Sequence, residues 1–317
     1  MRPFKLRPYY AEYLWGGRRL KEGYNKTGAP DILAESWELS ARPGRACVIA
    51  SGGLSGMGFD AFVREHPECC APLLPGGEFP LLLKLIDAAQ SLSVQVHPDD
   101  DYARRVEGCA GKTEMWIVLE CEPGAFIYYG FDRALGRAEA ERRVKDGSLA
   151  EVMRAVPVAP GDVFYIPAGT VHALGAGIVL AEIQQNSDAT YRIYDFGRVD
   201  ANGNPRELHA EKALDVMNLT RAPDYRPRED TGGAAETLIR CPYFEVRRLR
   251  LNGSYEYRPG GGFCAALCVG GGAVLSADKG APPDLEARRG ETIFIPSDCR
   301  GFTMTGDGEF ILAFAGG

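Results

Sequence analysis

Two polar side chains stand at alternating positions near the end of an apolar segment. The sequence "LSVQVHPDD" places Gln95 and His97 two residues apart, among Leu and Val, before "PDD" ends the run. Residues i and i+2 of a β-strand point to the same face of a sheet. The spacing therefore predicts that this amide and this imidazole project together from a strand into the interior of a β structure.

Two further residues can complete a site with this pair. Glu114 lies in "GKTEMWIVL", where Lys112 would share its strand face, and His172 follows a turn in "PAGTVHAL". Neutral imidazoles with oxygen donors form a mixed ligand set that suits zinc and other borderline divalent ions. A single histidine is more often an ordinary hydrogen-bonded residue. The chain has only four, however, and two of them stand in or beside strand-like runs. We therefore predict a metal site formed by Gln95, His97, Glu114 and His172.

Short apolar segments must position these residues. They are four to nine residues long, rich in Val, Ile, Phe and Tyr, and separated by many of the 39 Gly and 21 Pro of the chain. That pattern is typical of strands in an all-β sandwich or barrel. Helical spacing of apolar and charged residues appears in three segments, which are residues 58–74, 132–156 and 204–219, and the second is broken at "DGS" (residues 146–148).

The chain contains one local pattern twice. "GDVFYIPAGTVHAL" begins at Gly161, and "GETIFIPSDCRGFTM" begins at Gly290. When these glycines are aligned, His172 falls opposite Gly301, so only the first copy ends in a histidine. We expect the same hairpin corner in both halves, and a structural role for the second.

A polar, Pro- and Gly-containing stretch separates the two halves. It occupies roughly residues 220–236 and shows no apolar periodicity. We predict a catalytic, metal-binding domain with helical insertions over residues 1–220. A degenerate domain of the same type is predicted over residues 236–317.

Composition and charge limit the class of protein. A net charge of −7 argues against a general nucleic-acid binder, and no apolar run approaches the length of a membrane span. The N-terminal segment lacks the apolar region of a signal peptide. Nine irregularly spaced cysteines favour reduced thiols over a disulfide framework. We expect a cytoplasmic protein that binds neither nucleic acid nor membrane, and the oligomeric state stays open.

Several motifs in order resemble a known family. "GDVFYIPAGTVHAL" fits the second cupin motif, although Ala176 stands where an asparagine is common. "LAESWELS", "LSVQVHPDD", "GKTEMWIVL" and "NSDATYRIYDFGR" together resemble type I mannose-6-phosphate isomerase, particularly its short bacterial form. The resemblance extends over about residues 1–215, and the second half of the chain fits the family's C-terminal part.

The resemblance implies both a fold and a set of site residues. The fold would be all-β, with two tandem cupin-type jelly-roll barrels and a few added helices. The activity would be a zinc-dependent, reversible interconversion of mannose 6-phosphate and fructose 6-phosphate, with one metal ion per chain. The residues that match the family's metal ligands are Gln95, His97, Glu114 and His172. Those that match its catalytic positions are Arg192, Lys112, Glu182 and Asp188, and those that match its sugar-phosphate pocket are Ser93 and Lys84.

The chemistry of such a reaction accounts for these residue types. An aldose–ketose isomerisation removes a proton beside a carbonyl and returns it to the neighbouring carbon through an enediol. A divalent metal stabilises the charge that develops on the oxygens, and a carboxylate or a lysine transfers the proton. Lys112 and Glu182 are both candidates, and the sequence does not choose between them. Arg192 offers planar donors for a phosphate or an enediolate oxygen.

Two other functions are compatible with a cupin fold, which hosts many chemistries. One is an isomerase of another hexose phosphate, such as a cupin-type glucose-6-phosphate isomerase. The other is a catalytically silent cupin that binds a sugar. The second alternative gives no reason to retain both the predicted ligand set and Arg192. We therefore predict a mannose-6-phosphate isomerase.

Overall fold

A computed structural model describes residues 1–199, 203–228, 232–258, 260–276 and 284–316, which are mainly β. The strands are β1 (Phe4–Arg7), β2 (Tyr9–Ala11), β3 (Glu35–Leu39), β4 (Val48–Ile49), β5 (Leu81–Ala88), β6 (Val94–Val96), β7 (Glu114–Cys121), β8 (Phe126–Phe131), β9 (Met153–Pro157), β10 (Val163–Ile166), β11 (His172–Leu174), β12 (Ile178–Gln185), β13 (Tyr191–Tyr194), β14 (Ala235–Arg240), β15 (Phe244–Tyr257), β16 (Cys264–Ser276), β17 (Leu285–Arg288), β18 (Thr292–Ile295) and β19 (Phe302–Ala315). The helices are α1 (Arg19–Gly23), α2 (Phe59–Glu65), α3 (Asp100–Val106), α4 (Arg137–Asp146) and α5 (Ala210–Val216). The prediction of a β protein with a few helices is confirmed at this level.

The three predicted helical segments have different outcomes. Residues 58–74 contain α2 and a short 3₁₀ helix, and residues 204–219 contain α5. In the segment 132–156, α4 ends at Asp146, and the following Gly147 has a φ of 77°, the left-handed conformation common just after a helix. The prediction of helix was wrong for the last residues of that segment, because Met153–Pro157 pairs with β8 as a strand. None of the helices in the described residues is long and apolar enough to cross a membrane.

The chain packs into two compact units. Unit 1 comprises the described parts of residues 1–12, 18–85 and 229–317, and unit 2 comprises those of residues 13–17 and 86–228. Each unit is discontinuous in sequence: unit 1 is formed by three segments and unit 2 by two. The proposed division into domains at residues 1–220 and 236–317 stays a prediction.

Unit 1 contains a large antiparallel sheet. Its strand order is β14-β15-β19-β16-β18-β1-β4, with β17 beside β16. Phe4 of β1 lies opposite Phe294 of β18, so the sheet joins the start of the chain to its last hundred residues. Glycines let the long strands approach closely, because a Cβ on Gly271 would lie 2.1 Å from the Asp307 carbonyl oxygen.

A buried ion pair stabilises a corner of unit 1. Lys26 Nζ lies 2.5 Å from Glu38 Oε1 and also donates to the Gly290 carbonyl, and both side chains are almost fully buried. Glu38 further accepts hydrogen bonds from Ser36 Oγ and Thr292 Oγ1. The carboxylate is therefore satisfied by partners that are distant from one another in sequence.

Unit 2 contains the strands that carry the predicted site. One sheet has the order β13-β6-β11-β8-β9, and β7 lies between β10 and β12. Val94 and Val96 of β6 are buried in an apolar cluster with residues of α4 and α5. Gln95, between them, lies opposite His172 of β11 on one side and Arg192 of β13 on the other. Three predicted site residues thus occupy neighbouring positions on three adjacent strands.

Candidate metal centre

Two histidines and one glutamate converge at a buried point in unit 2. Glu114 Oε1 lies 3.2 Å from His172 Nε2, and Glu114 Oε2 lies 3.5 Å from His97 Nε2. All three side chains are fully or almost fully buried. One potential ligand atom from each lies within 4.8 Å of the others. Gln95 Nε2 lies 3.3 Å from His172 Nε2, so the amide borders the same space.

Backbone carbonyls orient both imidazoles. His97 Nδ1 lies 3.0 Å from the Ala189 carbonyl oxygen, and His172 Nδ1 lies 2.9 Å from the Thr170 carbonyl oxygen. Each Nδ1 must therefore carry the hydrogen and donate it, which leaves each Nε2 with its lone pair directed at the cluster. Burial, together with the nearby Lys112 ammonium, lowers the pKa of His97 to about 3. His97 is consequently neutral near pH 7, as a metal ligand must be.

The Glu114 carboxylate fits a cation at this point. Lys112 Nζ lies 2.6 Å from Oε2 and forms an ion pair with it, whereas Oε1 faces His172 Nε2. Burial acts to raise the pKa of Glu114, but Lys112 and His97 lower it well below its usual value. The group is therefore an ionised, buried carboxylate. Two imidazole nitrogens, this carboxylate and the Gln95 amide, which can present its oxygen after rotation, suit zinc.

Lys112 and Glu182, the two candidates for proton transfer, lie beside the cluster, and their roles stay predictions. Lys112 Nζ lies 3.2 Å from His97 Nε2 and 4.0 Å from Glu182 Oε1. Glu182 is on β12, opposite Trp116 of β7, whose indole N–H donates to Glu182 Oε2 at 2.9 Å. The buried side chains of Lys112 and Glu182 thus both lie close to the cluster of His97, Glu114 and His172.

Arg192 lies next to Gln95 and at the edge of a cationic cluster. Its Nη1 donates to the Glu207 carbonyl at 2.9 Å, and burial followed by the charge of Arg206 lowers its pKa. Asp195 accepts hydrogen bonds from both Arg206 and Arg198. Among Arg192 itself and the charged groups that act on it, three guanidinium groups outnumber the carboxylates of Asp195 and Glu207.

Asp188 lines a polar cleft of about 330 Å³ in unit 2. The cleft is also lined by Glu107, Tyr191, His209 and Lys212, and Glu107 accepts hydrogen bonds from Tyr191 and Lys212. Ala189, which follows Asp188, is the residue whose carbonyl orients His97. A part for Asp188 in proton transfer stays a prediction.

The two residues predicted to line the sugar-phosphate pocket occupy different units. Ser93 is buried in unit 2, immediately before β6. Lys84 is in unit 1, where its Nζ lies 3.6 Å from Glu35 Oε2 and 5.1 Å from the centre of the Trp37 ring. Both roles in substrate binding stay predictions.

Sequence reasoning missed several polar groups near the cluster. Gln184 lies directly opposite Glu114, and its Nε2 donates to two backbone carbonyls, whereas its buried Oε1 has no hydrogen bond within the described residues. Trp116 has the hydrogen bond to Glu182, and Arg198 and Arg206 share Asp195. Because side chains alternate along a strand, Glu114 and Trp116 share one face of β7, and Glu182 and Gln184 share one face of β12. The register that brings these pairs together is not visible in a single sequence.

Models of two protein domains match this chain. The catalytic-domain model of type I phosphomannose isomerase matches residues 3–113, and the cupin-domain model of mannose-6-phosphate isomerase matches residues 234–315. The mannose-6-phosphate isomerase ManA of Bacillus subtilis is 36% identical over 98% of both chains. A mannose-6-phosphate isomerase of Streptococcus mutans is 33% identical over 98% of this chain and 97% of its own.

Solved structures show the same fold. The crystal structure of the mannose 6-phosphate isomerase from Bacillus subtilis has a TM-score of 0.91 and 32% identity, and the match covers 99% of both chains. A putative mannosephosphate isomerase from Archaeoglobus fulgidus has a TM-score of 0.80 at 22% identity, over 100% of this chain and 98% of its own. A zinc-bound mannose 6-phosphate isomerase has a TM-score of 0.78 at 19% identity, over the whole of both chains. The last two are informative for the fold alone.

Proposed function

This chain belongs to the type I mannose-6-phosphate isomerase family, and on that basis we propose that it interconverts mannose 6-phosphate and fructose 6-phosphate at the centre formed by His97, Glu114 and His172. One observation carries the proposal: two imidazole nitrogens and an ionised carboxylate, all buried, converge on one point. Nitrogen and oxygen donors that converge in this way suit zinc. The family membership supplies the reaction that this centre serves.

The proposed cofactor is one zinc ion per chain. His97, Glu114 and His172 would hold it, with Gln95 as the fourth ligand. When bound, the ion acts as a Lewis acid that stabilises negative charge on the substrate's carbonyl and hydroxyl oxygens. The fixed Nδ1–H donors of both histidines support this role, because they keep the Nε2 lone pairs aligned without the cost of ordering them on binding.

We assign proton transfer to Glu182. Its carboxylate removes the proton from C2 of the open-chain aldose and returns it to C1 of the enediol, while one proton moves from the C2 hydroxyl to the C1 oxygen, which yields the ketose. Lys112 is less suited to act as the base because its ammonium is held 2.6 Å from Glu114 Oε2. In that position Lys112 supplies positive charge beside the developing enediolate. Asp188 is proposed as a further catalytic residue, because it matches a catalytic position of the family.

The anionic end of the substrate is assigned to the arginines of β13 and the following loop. Arg192 is adjacent to Gln95, and Arg198 and Arg206 add more positive charge than Asp195 neutralises. Planar guanidinium groups bind phosphate with two parallel hydrogen bonds. Ser93 and Lys84 are proposed as further contacts to the sugar phosphate.

We also propose a finer architecture and setting than the strand content alone defines. Two tandem jelly-roll barrels of the cupin type would correspond to residues 1–220 and 236–317. The cupin-domain match over residues 234–315 supports the second barrel. All nine cysteines are free thiols, which supports a reducing cytoplasm. The net charge of −7 supports the absence of nucleic-acid partners.

The test is formation of fructose 6-phosphate from mannose 6-phosphate by the purified protein. Activity should disappear after chelation, return with zinc, and be lost in His97→Ala. His66→Ala serves as the matched control, because His66 lies on the surface of unit 1. A folded, zinc-loaded protein without activity would refute the proposal, and activity that survives chelation would refute the metal. Glucose 6-phosphate as a competing substrate distinguishes a cupin isomerase of another hexose phosphate.

A further inference from the structure

Trp116 contacts two functional groups of the centre at once. It lies two residues after Glu114 on β7, is 2% exposed, and stands opposite Glu182 in the strand register. Its indole N–H donates to Glu182 Oε2 at 2.9 Å. The centre of its ring system lies 5.3 Å from the centre of the His172 ring, at an interplanar angle of 82°. Trp116 therefore bridges a predicted metal ligand and the proposed proton-transfer carboxylate.

The hydrogen bond restricts the orientation of Glu182. With Oε2 held by the indole, the other oxygen, Oε1, faces Lys112 Nζ at 4.0 Å. A hydrogen bond to an ionised acceptor is stronger than one between neutral groups, particularly in a buried site. The carboxylate is thus fixed by its neighbour before substrate arrives, and the ring that fixes it packs nearly perpendicular to the His172 imidazole.

We propose that Trp116 is a positioning residue for the isomerisation: its indole N–H holds the Glu182 carboxylate in the orientation from which it transfers the proton. This inference rests on the proposed function. Trp116 does not touch the reacting atoms, so its effect acts through Glu182. The ring contact with His172 is a second, separable role in packing.

The contact itself can be tested without any assay of activity. The chain has three tryptophans, so its spectrum contains three indole N–H resonances. In Glu182→Ala we expect the Trp116 resonance, assigned with Trp116→Phe, to shift and to exchange faster with water. The Trp37 resonance is the control, because that indole donates to Glu35. An unchanged Trp116 resonance would overturn the inference.

The positioning role is tested by replacing only the N–H. Site-specific incorporation of 3-benzothienylalanine at position 116 keeps the size and shape of the ring but substitutes sulfur for N–H. We expect kcat to fall about 10- to 100-fold, the effect of one lost hydrogen bond to a charged group. KM, zinc content and thermal stability should be unchanged. The isotope effect on kcat with substrate deuterated at C2 should increase, because proton transfer becomes slower. The same replacement at Trp15, which stacks on Tyr13, is the matched control.

The outcomes separate this inference from the proposed function. An unchanged kcat and isotope effect overturn the inference, and so does a loss of zinc that parallels the loss of activity, because that result assigns Trp116 to packing against His172. If the unmodified, zinc-loaded protein does not convert mannose 6-phosphate, the proposed function fails, and the positioning role fails with it. An active unmodified protein with an unaffected analogue overturns only the inference.

Discussion

The corner that begins at Gly161 in unit 2 and the corner that begins at Gly290 in unit 1 have the same backbone. Both glycines have positive φ, 94° and 84°. Gly161 N–H donates to the Val118 carbonyl at 2.8 Å, and Gly290 N–H donates to the Cys268 carbonyl at 2.7 Å. The acidic residue that follows each glycine accepts, at 2.8 Å, a backbone N–H from three residues earlier.

The strands beside these corners carry different side chains. Ile166 lies opposite Glu114, and the equivalent Ile295 lies opposite Cys264. Where the first corner has a buried carboxylate, the second therefore has a buried thiol. Burial raises the pKa of Cys264 to about 12, so that position has no charge near pH 7.

The residue at the end of each corner also distinguishes a polar site from an apolar one. His172 borders the metal centre, whereas Gly301 occupies its place in the other copy. The neighbouring Cys299 and Phe302 belong to the apolar core of unit 1. One backbone hence supports either a charged centre or an apolar core, and the choice depends on a few side chains. The motif thus specifies the turn, while its neighbours specify the chemistry.

The largest effect should come from giving the first corner the residue of the second. His172→Gly removes one imidazole, so we expect loss of zinc and a fall in kcat/KM of about 1,000-fold or more, since the Lewis acid contributes several kcal/mol. His172→Gln separates this effect from that of a glycine in a strand. Cys264→Ala is the control in the second corner, and zinc content measured by elemental analysis should stay normal there. Retention of zinc and activity in both His172 variants would show that this histidine does not distinguish the two corners.

The stability of the second corner should depend on the buried ion pair between Lys26 and Glu38. Lys26→Met removes the partner of Glu38 and leaves a buried carboxylate unpaired, at a cost of about 3–5 kcal/mol in the free energy of unfolding. Urea denaturation measures this cost, and the double variant Lys26→Met/Glu38→Leu should recover most of it. Lys21→Met breaks an exposed pair with Asp31 and should have little effect. An equally small effect at Lys26 would contradict the importance of the buried pair.

Zinc should stabilise the folded protein by binding at the centre beside the first corner, and the second corner should make no contribution. At a free zinc concentration about 100 times the dissociation constant, we expect a gain of about 2.7 kcal/mol in the free energy of unfolding. Calorimetry with and without zinc measures the gain, and His97→Ala should abolish it. Equal stabilisation of His97→Ala would place the relevant metal elsewhere.

Beside the first corner, the geometry of a cation should matter as well as its charge. Arg192→Lys retains the charge but loses the planar pair of donors, so we expect kcat/KM to fall about 10- to 100-fold. Steady-state kinetics at fixed ionic strength measures the fall. Arg137→Lys on the solvated helix α4 is the control. Full activity of Arg192→Lys would remove Arg192 from substrate binding.

The smallest expected effect is the loss of stability when the glycine of either corner, Gly161 or Gly290, is replaced by alanine. Gly161→Ala costs about 1 kcal/mol, because positive φ is unfavourable for alanine while no atom lies within 4 Å of the added Cβ. Gly290→Ala should cost several times more, since its Cβ would lie 1.9 Å from the Tyr24 carbonyl oxygen. Thermal unfolding of both variants checks the difference. Equal costs would show that backbone strain alone governs these positions.

Local patterns predicted more of this molecule than long-range pairing did. Alternation around Gln95 placed it on the strand face opposite its valine neighbours. Helical spacing within residues 132–156 predicts a helix up to Val156, but Met153–Pro157 pairs with β8 as a strand. The hydrogen bond from Trp116 to Glu182 could not be predicted, because only the register of β7 with β12 brings the indole N–H to that carboxylate. The candidate ligands could be named from motifs, but not the groups that orient them.

The pairing of β1 with β18 also has a consequence for the order of folding during synthesis. A ribosome releases Phe4 first, yet its strand partner, Phe294, emerges only after almost all of the printed sequence has been translated. The strands of unit 2, by contrast, pair among residues that have all emerged by position 228. The nascent chain can therefore complete the metal-binding region while β1 has only its early partner, β4, beside it. During that interval the edge of β1 that later pairs with β18 is open, and it is the edge that a chaperone would need to protect.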